Sequence, residues 1–491
     1  MSQRQGRWIL LLAWGLLGLG AGYASAQPPA EPSGLAAAAA IEGALVDVIA
    51  RAEKSVVAVA RVRKPPSGET FPLEFRPDPF GRGLGPSGPG PADPDFVPTE
   101  YGTGVVIDRA GLILTAYHVL GQESEYYVTT HDRKVYKAWV KAADPRSDLA
   151  VLSIDATNLT PIELGDATGL KKGQLVVALG NPYAIARDGQ ASAAWGIVSN
   201  LSRKAPPVAG APESASRPTL HHFGTLIQTD AKLNLGTSGG PLLNLEGKMI
   251  GLCVALAAVT GFDKGAGYAI PVDDTFRRVL GRLKEGREVE YGFLGIQPIN
   301  LRPQELIEGL DGIRVDRVVS GTPAARYGLK PGDLITAVNR HPIHEADGLV
   351  LEVGRLPVEA TARLAVLRDG RRRSIDVVLA KYPVRGEKIV TTRPPDWRGL
   401  RVDYPTAYVD DDPAARAGLS FFDDGVVVTE VAAPSPAHQA GLRPGTRITH
   451  VGRTPVRTPR EFQTATAGQS GPVTLRLGDD AAGSMVSVPE S

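Results

Sequence analysis

Between residues 101 and 271 the chain is divided into short runs of β-branched and other apolar residues, each closed by a turn-forming cluster. Runs at 104–108, 126–130, 135–140, 149–154, 175–179 and 196–200, and a pair flanking Asn244-Leu245-Glu246-Gly247, all have strand length. So many short strands at close spacing restrict this stretch to an all-β barrel or sandwich. Upstream, Ile41, Leu45, Val48, Ile49 and Ala52 fall at helical spacing, and 55–62 turns strand-like. Downstream, Asp273 is placed to cap a helix whose Phe276, Val279, Leu280 and Leu283 form one apolar face, closing the domain near Gly286. Two segments interrupt the pattern. Residues 64–99 are rich in Pro, Gly and Asp with Phe71, Phe75, Phe80 and Phe96 among them, a long loop whose rings need cover from a second subunit or from their own domain. A Pro/Ala/Ser-rich insertion between Ser202 and His222 reads as a surface loop.

The last two hundred or so residues repeat themselves. G-T-P-A-A-R-Y-G-L-K-P-G-D-L-I from Gly321 matches P-S-P-A-H-Q-A-G-L-R-P-G-T-R-I from Pro434, so two copies of one module follow the β domain. Each copy opens on an apolar-glycine stretch, F-L-G-I at 293–296 and W-R-G-L at 397–400. A shorter echo from Pro413 lacks the following P-G and belongs to an insertion in the second copy. The domains expected are 41–286, 287–382 and 395–480, about what 491 residues allow.

A net charge of +1 gives no electrostatic surplus for nucleic acid or an anionic membrane. Cys253 is the only cysteine, which excludes an intrachain disulfide and a cysteine zinc site; its strand-like surroundings, G-L-C-V-A-L, make it a core residue. Arg4 and Arg7, an uncharged run over 8–22 and Ala24-Ser25-Ala26 have the form of a signal peptide, 1–26. The alternative is an uncleaved anchor, although the run is shorter than the roughly 20 residues a spanning helix needs. His221-His222 is read as a pair of polar surface residues beside a long loop: neighbours on a strand point to opposite faces, and no third ligand stands at a metal spacing. No metal or other cofactor is expected.

Three patches carry chemistry: T-A-Y-H-V with His118, S-D-L-A-V-L with Asp148 and N-L-G-T-S-G-G-P-L with Ser238. Amide hydrolysis at neutral pH needs an imidazole to take the proton of a serine hydroxyl and pass it to the leaving amine, and a carboxylate to hold that imidazole. His118, Asp148 and Ser238 supply these groups in the order of a chymotrypsin-like peptidase. The glycines around Ser238 let the backbone turn tightly, so the amides of Gly236, Thr237 and Ser238 are expected to converge on an oxyanion.

With these patches, Y-G-T-G-V-V-I-D, A-L-G-N-P, W-G-I-V-S, L-I-Q-T-D-A, G-Y-A-I-P-V and both P-G repeats, the chain resembles the HtrA/DegP family over roughly 46–477. That family comprises exported serine proteases with C-terminal PDZ domains. The resemblance implies a mainly β fold, a chymotrypsin-like double β-barrel followed by two PDZ-like α+β domains, with His118, Asp148 and Ser238 catalytic. Thr237 stands where the family usually has asparagine. Lys232, six residues before Ser238, stands where it usually has a small residue, at the base of an apolar pocket walled by Leu233 and Leu256. Its ammonium either enters that pocket, favouring acidic or small side chains, or snorkels to solvent. Leu294, Gly295 and Ile296 would bind a peptide carboxylate in the first module, and Arg398, Gly399 and Leu400 in the second. There Arg398 either brings charge to the carboxylate or closes the groove. The implied function is an ATP-independent endopeptidase of extracytoplasmic, periplasmic protein quality control. Unfolded exported proteins and peptide C-termini would be its substrates, the assembly would be a homotrimer or larger, and loops at 184–190, 233–237 and 254–265 and the Pro-rich insertion would switch between order and disorder. The rival is a peptide-binding chaperone or adaptor with little proteolysis.

Overall fold

The computed structural model describes residues 34–63, 100–121, 123–181, 189–205, 219–254, 266–384, 388–394, 396–408, 425–478 and 484–490. The leader at 1–26, the loop at 64–99, Leu256, the echo from Pro413, most of the 202–222 insertion and most of the loops at 184–190 and 254–265 lie outside the described residues. Residues 1–44 and 45–491 form separate units; the described part of the first is the opening of the helix Gly34–Ala52.

In the second unit, six strands make a first barrel: β1 (Val56–Arg63), β2 (Glu100–Val106), β3 (Leu112–Ala116), β4 (Ser124–Thr129), β5 (Val135–Asp144) and β6 (Leu149–Ile154). They run β5-β4-β1-β2-β3-β6, and β6 pairs back onto β5. β5 continues past 140 to Asp144 because its second half leaves β4 and pairs with β6, shifting register between Val140 and Ala142. A second barrel, β7 (Leu175–Gly180), β8 (Ser192–Arg203), β9 (Leu226–Thr229), β10 (Pro241–Leu243), β11 (Met249–Val254) and β12 (Gly267–Pro271), closes in the order β10-β11-β12-β9-β8-β7. Closure removes the unpaired edges that open sheets of such apolar strands would expose. Cys253 is wholly buried in β11, where burial pushes its thiol pKa up to about 12 and leaves it inert. The helix Asp274–Lys284 is capped by Asp273, whose Oδ1 accepts the Phe276 amide at 2.8 Å, and its four expected apolar residues are the buried ones.

Both repeat modules have one sheet order. In the first, Ile296–Asn300, Ile313–Val318, Leu334–Val338, Thr361–Arg368 and Arg371–Val378 follow one another, with the helix Ala346–Arg355 packed near the first strand. In the second the strands are Leu400–Asp403, Val426–Val431, Arg447–Val451, Val473–Leu477 and Met485–Val488, with the helix Pro459–Thr466. The chain is thus mainly strand, two six-stranded barrels followed by two α+β modules.

Two features fix the modules to the barrels. The connection between them adds a short strand, Ile389–Val390, to β5 at Ala142–Ala143, and the Thr391 and Thr392 amides donate to the Gly286 carbonyl at 3.1 and 2.9 Å. Below it the ammonium of Lys381, 3% exposed, meets Asp403 at 2.8 Å and Glu288 and Glu290 at 3.1 Å each, while Lys388 bridges Asp403 and Glu288. Burial opposes the charge on Lys381, but these three carboxylates outweigh it and hold its pKa well above the ordinary lysine value.

Candidate active site

After β3 the backbone makes a single turn, Tyr117–Val119, that leaves the His118 side chain partly exposed against a buried Asp148. Asp148 Oδ2 lies 2.8 Å from His118 Nδ1, its Oδ1 accepts the His118 amide at 3.0 Å, and its carbonyl accepts the Tyr117 amide at 2.9 Å. An ionised carboxylate only accepts, so Nδ1 carries the proton and Nε2 keeps a lone pair. Burial disfavours charged His118, yet the charge and hydrogen bond of Asp148 outweigh it, and the imidazole pKa lies above its ordinary value. Burial likewise pushes Asp148 up, but His118 through charge and hydrogen bonds holds it below the usual carboxylate range.

Asp148 ends the four-residue loop joining β5 to β6 and has φ +56°, a left-handed conformation that aspartate tolerates better than most residues. The loop is tied from both sides. Asp144 accepts the Ser147 amide at 2.9 Å and the hydroxyls of Ser147 and Tyr291. His221 Nε2 donates to the Ser147 carbonyl at 2.7 Å, and its Nδ1 meets the Thr225 hydroxyl at 2.6 Å. Burial lowers the His221 pKa, so the ring is neutral, protonated on Nε2 and accepting from Thr225 on Nδ1. This corrects the reading of His221-His222 as surface residues on a strand. Both lie in a short 3-10 turn, Leu220–Phe223, 5% and 6% exposed, because His221 has both ring nitrogens satisfied indoors and His222 caps that turn with Thr219. Among the described residues no group of three or more His, Cys, Asp or Glu is placed to hold a metal.

Ser238 reaches the same place from the second barrel. Its carbonyl accepts the Thr103 amide at 2.8 Å, and Gly239 lies so close to the Thr103 carbonyl and the Thr115 hydroxyl, three residues before His118, that no Cβ fits. A Cβ on Gly102 would stand 2.8 Å from Val119 and 3.3 Å from the Ser238 carbonyl, so the serine turn and the residue after His118 share one packing site. Gly236 has φ +94°, its carbonyl accepts the Thr103 hydroxyl at 2.6 Å, and a Cβ would run into the Asn181 carbonyl. One expectation is corrected here. The Thr237 amide donates to the Asn234 carbonyl at 3.1 Å and its hydroxyl to the same oxygen at 2.6 Å, closing the turn, so Thr237 is not one of a converging trio. Lys232 is exposed, and Leu233 is half-buried against Gly267.

In the first module the Leu294 and Gly295 carbonyls accept the Ala324 and Val319 amides at 2.9 Å each. Planar trans peptides then turn the Gly295 and Ile296 amides the opposite way, toward one side of the loop. The second loop departs from expectation. The Leu400 amide donates to the Trp397 carbonyl and the Trp397 amide to the Leu400 carbonyl, both at 2.9 Å, across a two-residue turn with Arg398 and Gly399 at positive φ. Arg398 donates to the carbonyls of Val488, Gln469 and Gly471 at 2.7, 3.3 and 2.8 Å. Of the two alternatives for Arg398, charge offered to a peptide carboxylate or closure of the groove, these bonds favour the second, since its donors are spent on three backbone oxygens of its own module.

The sequence reading missed Ser147, His221, Thr225 and Tyr291 behind Asp148. The only local signal is a second carboxylate, Asp144, four residues before Asp148 in D-P-R-S-D.

The sequence profile of the trypsin-like peptidase domain matches residues 102–252, and that of the PDZ domain matches 292–379 and 427–477. The chain is 32% identical over 395 residues to the periplasmic serine endoprotease DegP of Salmonella typhimurium, covering 79% of this chain and 76% of that one. It is 34% identical over 373 residues to a probable periplasmic serine endoprotease, DegP-like, of Pseudomonas fluorescens, covering 74% and 73%. Among solved structures it is similar to the HtrA-type protease AlgW with a tripeptide, at 25% identity and a TM-score of 0.52 over 72% of this chain and 98% of that one. The decapeptide complex of AlgW gives 27%, a TM-score of 0.50 and coverages of 72% and 99%. Two barrels with His118, Asp148 and Ser238 at their junction, two PDZ domains and relatives of this coverage place the chain in the HtrA/DegP family of PDZ-bearing serine endoproteases.

Proposed function

We propose that His118, Asp148 and Ser238 are the catalytic triad of an extracytoplasmic endopeptidase that cleaves unfolded proteins delivered through its PDZ domains. The observation that carries this reading is the His118–Asp148 pair, which leaves His118 Nε2 unprotonated on a residue whose neighbour, Val119, packs at the same glycine as the Ser238 carbonyl. Nε2 takes the Ser238 proton as Oγ attacks the scissile carbonyl, and Asp148 stabilises the imidazolium. The protonated ring then delivers its proton to the departing amine, and water repeats the sequence on the acyl-enzyme. The oxyanion is held by the amides of Gly236 and Ser238, since that of Thr237 is occupied. Leu233 supports an apolar pocket for the side chain before the scissile bond, with Lys232 at its solvent edge.

The first PDZ domain is the receptor for peptide C-termini, through the Gly295 and Ile296 amides; the second is a closed, structural copy. Relatives named periplasmic support an extracytoplasmic location, and no helix among the described residues is long and apolar enough to cross a membrane. Assembly as a trimer is the family's usual unit and is proposed here.

The test is digestion of casein by the parent and by Ser238→Ala. Loss of the triad serine is expected to cut turnover by roughly a million-fold with melting temperature unchanged. Equal turnover by both proteins defeats the assignment, and retained binding without cleavage in the parent turns it into a chaperone.

A further inference from the structure

We infer that Arg146 is a positioning residue for the catalytic carboxylate, and that the residues positioning Arg146 belong to the first PDZ domain and the segments flanking it. The inference rests on Asp148 being the triad carboxylate. Arg146 stands two residues before Asp148 and is 5% exposed, yet no ion pair reaches it among the described residues and its Nε has no hydrogen-bond partner. Aromatic faces hold it. The guanidinium carbon lies 3.6 Å from the ring centroid of Tyr382, which leaves the PDZ domain, and 5.4 Å from that of Tyr291, which enters it. The two tyrosines are joined by the Tyr382 amide donating to the Tyr291 carbonyl at 2.7 Å.

The helix Ala346–Arg355 also reaches Arg146. Gly354, near the end of that helix, is where a Cβ would lie 2.9 Å from Leu220 and 3.1 Å from an Arg146 Nη, so glycine, a poor helix former, leaves room for both side chains. Leu220 in turn donates its amide to the Arg146 carbonyl at 2.9 Å, and the next residue, His221, holds the Ser147 carbonyl. The two bonds that hold the backbone just before Asp148, from Leu220 to the Arg146 carbonyl and from His221 to the Ser147 carbonyl, therefore sit beside a side chain packed against the first PDZ domain and its flanking tyrosines. A carboxylate held this way is misplaced, not unfolded, when that packing is loosened.

The experiment uses the full chain and measures steady-state cleavage of casein together with the rate at which a fluorophosphonate probe labels Ser238. Tyr382→Leu is expected to lower kcat and the labelling rate by roughly tenfold to a hundredfold with KM within about twofold, while Tyr382→Phe, which keeps the ring, stays at the parent's level. Gly354→Ala gives the second arm: alanine favours the helix, so a matching fall in kcat at an undiminished melting temperature reports displacement of the bonded pair Leu220 and Arg146. Parent-level kcat in both Tyr382→Leu and Gly354→Ala, or a fall in Tyr382→Phe as deep as in Tyr382→Leu, overturns the inference. Asp148→Asn run alongside separates the two readings. If it leaves kcat intact, the triad assignment fails; if it abolishes kcat and the other variants do not, only the positioning role fails.

Discussion

Asp148 works against its own burial. Its carboxylate is kept ionised by His118, and His118 is kept more basic than a free imidazole by Asp148, so each group's pKa is a property of the pair. Because a general base must be neutral, kcat/KM is expected to fall on the acid side with a midpoint above about 6.5. Asp148→Asn should lower kcat by about 10⁴-fold and move that midpoint down, since burial alone then acts on the imidazole; a pH–rate profile reads both. Gly236→Ala should abolish turnover, because the added methyl collides with the Asn181 carbonyl at a φ that alanine resists; proteolysis and thermal melting measured together distinguish a lost hole from a lost fold. At this scale the sequence showed the reacting groups and hid their supports. His118, Asp148 and Ser238 each carry a local motif, whereas His221 touches Ser147 across more than seventy residues of chain, and an H-H pair next to a polar insertion has no feature that tells indoors from outdoors.

Among elements, the instructive pair is the two carboxylate loops. Both are apolar-glycine turns at the head of a PDZ sheet, and both turn their carbonyls into the following segment. Only the second spends the Leu400 amide on Trp397 and surrounds Arg398 with carbonyls. A fluorescent peptide with a free apolar C-terminus is therefore expected to lose binding in Gly295→Val, where the side chain would strike Thr322, and to bind Gly399→Val like the parent; anisotropy titration checks both. Strand positions were legible because alternation and turn residues are local. The continuation of β5 to Asp144 was not, since what prolongs it is a change of partner from β4 to β6. The repeat foretold a common fold for the two modules, but repeat matching is blind to which amides end up occupied.

On the scale of the whole molecule, a cluster of charges joins segments far apart in sequence. The cluster around Lys381 ties the exit of the first PDZ domain to Asp403 of the second and to Glu288 and Glu290 before the first. Lys381→Met leaves three carboxylates facing Lys388 alone and is expected to cost about 3–5 kcal/mol, read as a lowered melting temperature. Burial opposes ionised Asp403, but Lys381 and then Lys388 outweigh it and keep its pKa depressed, so its stabilisation is present above the unfolded carboxylate value and lost as pH falls through the folded one. The raised pKa of Lys381 acts in the other direction, its contribution fading only as pH climbs past the unfolded lysine value toward the folded one. The strand Ile389–Val390 adds a consequence for anyone cutting this chain. β4 accompanies β5 only as far as Ala138, and Ala142–Ala143 gain a neighbour when the polypeptide returns after the first PDZ domain. Ending the chain at Val384 leaves that flank bare two residues from the loop that carries Arg146, whereas ending it at Thr392 keeps it covered. The shorter protein should melt earlier and cleave casein more slowly than the longer one, making the smallest complete peptidase longer than its peptidase sequence.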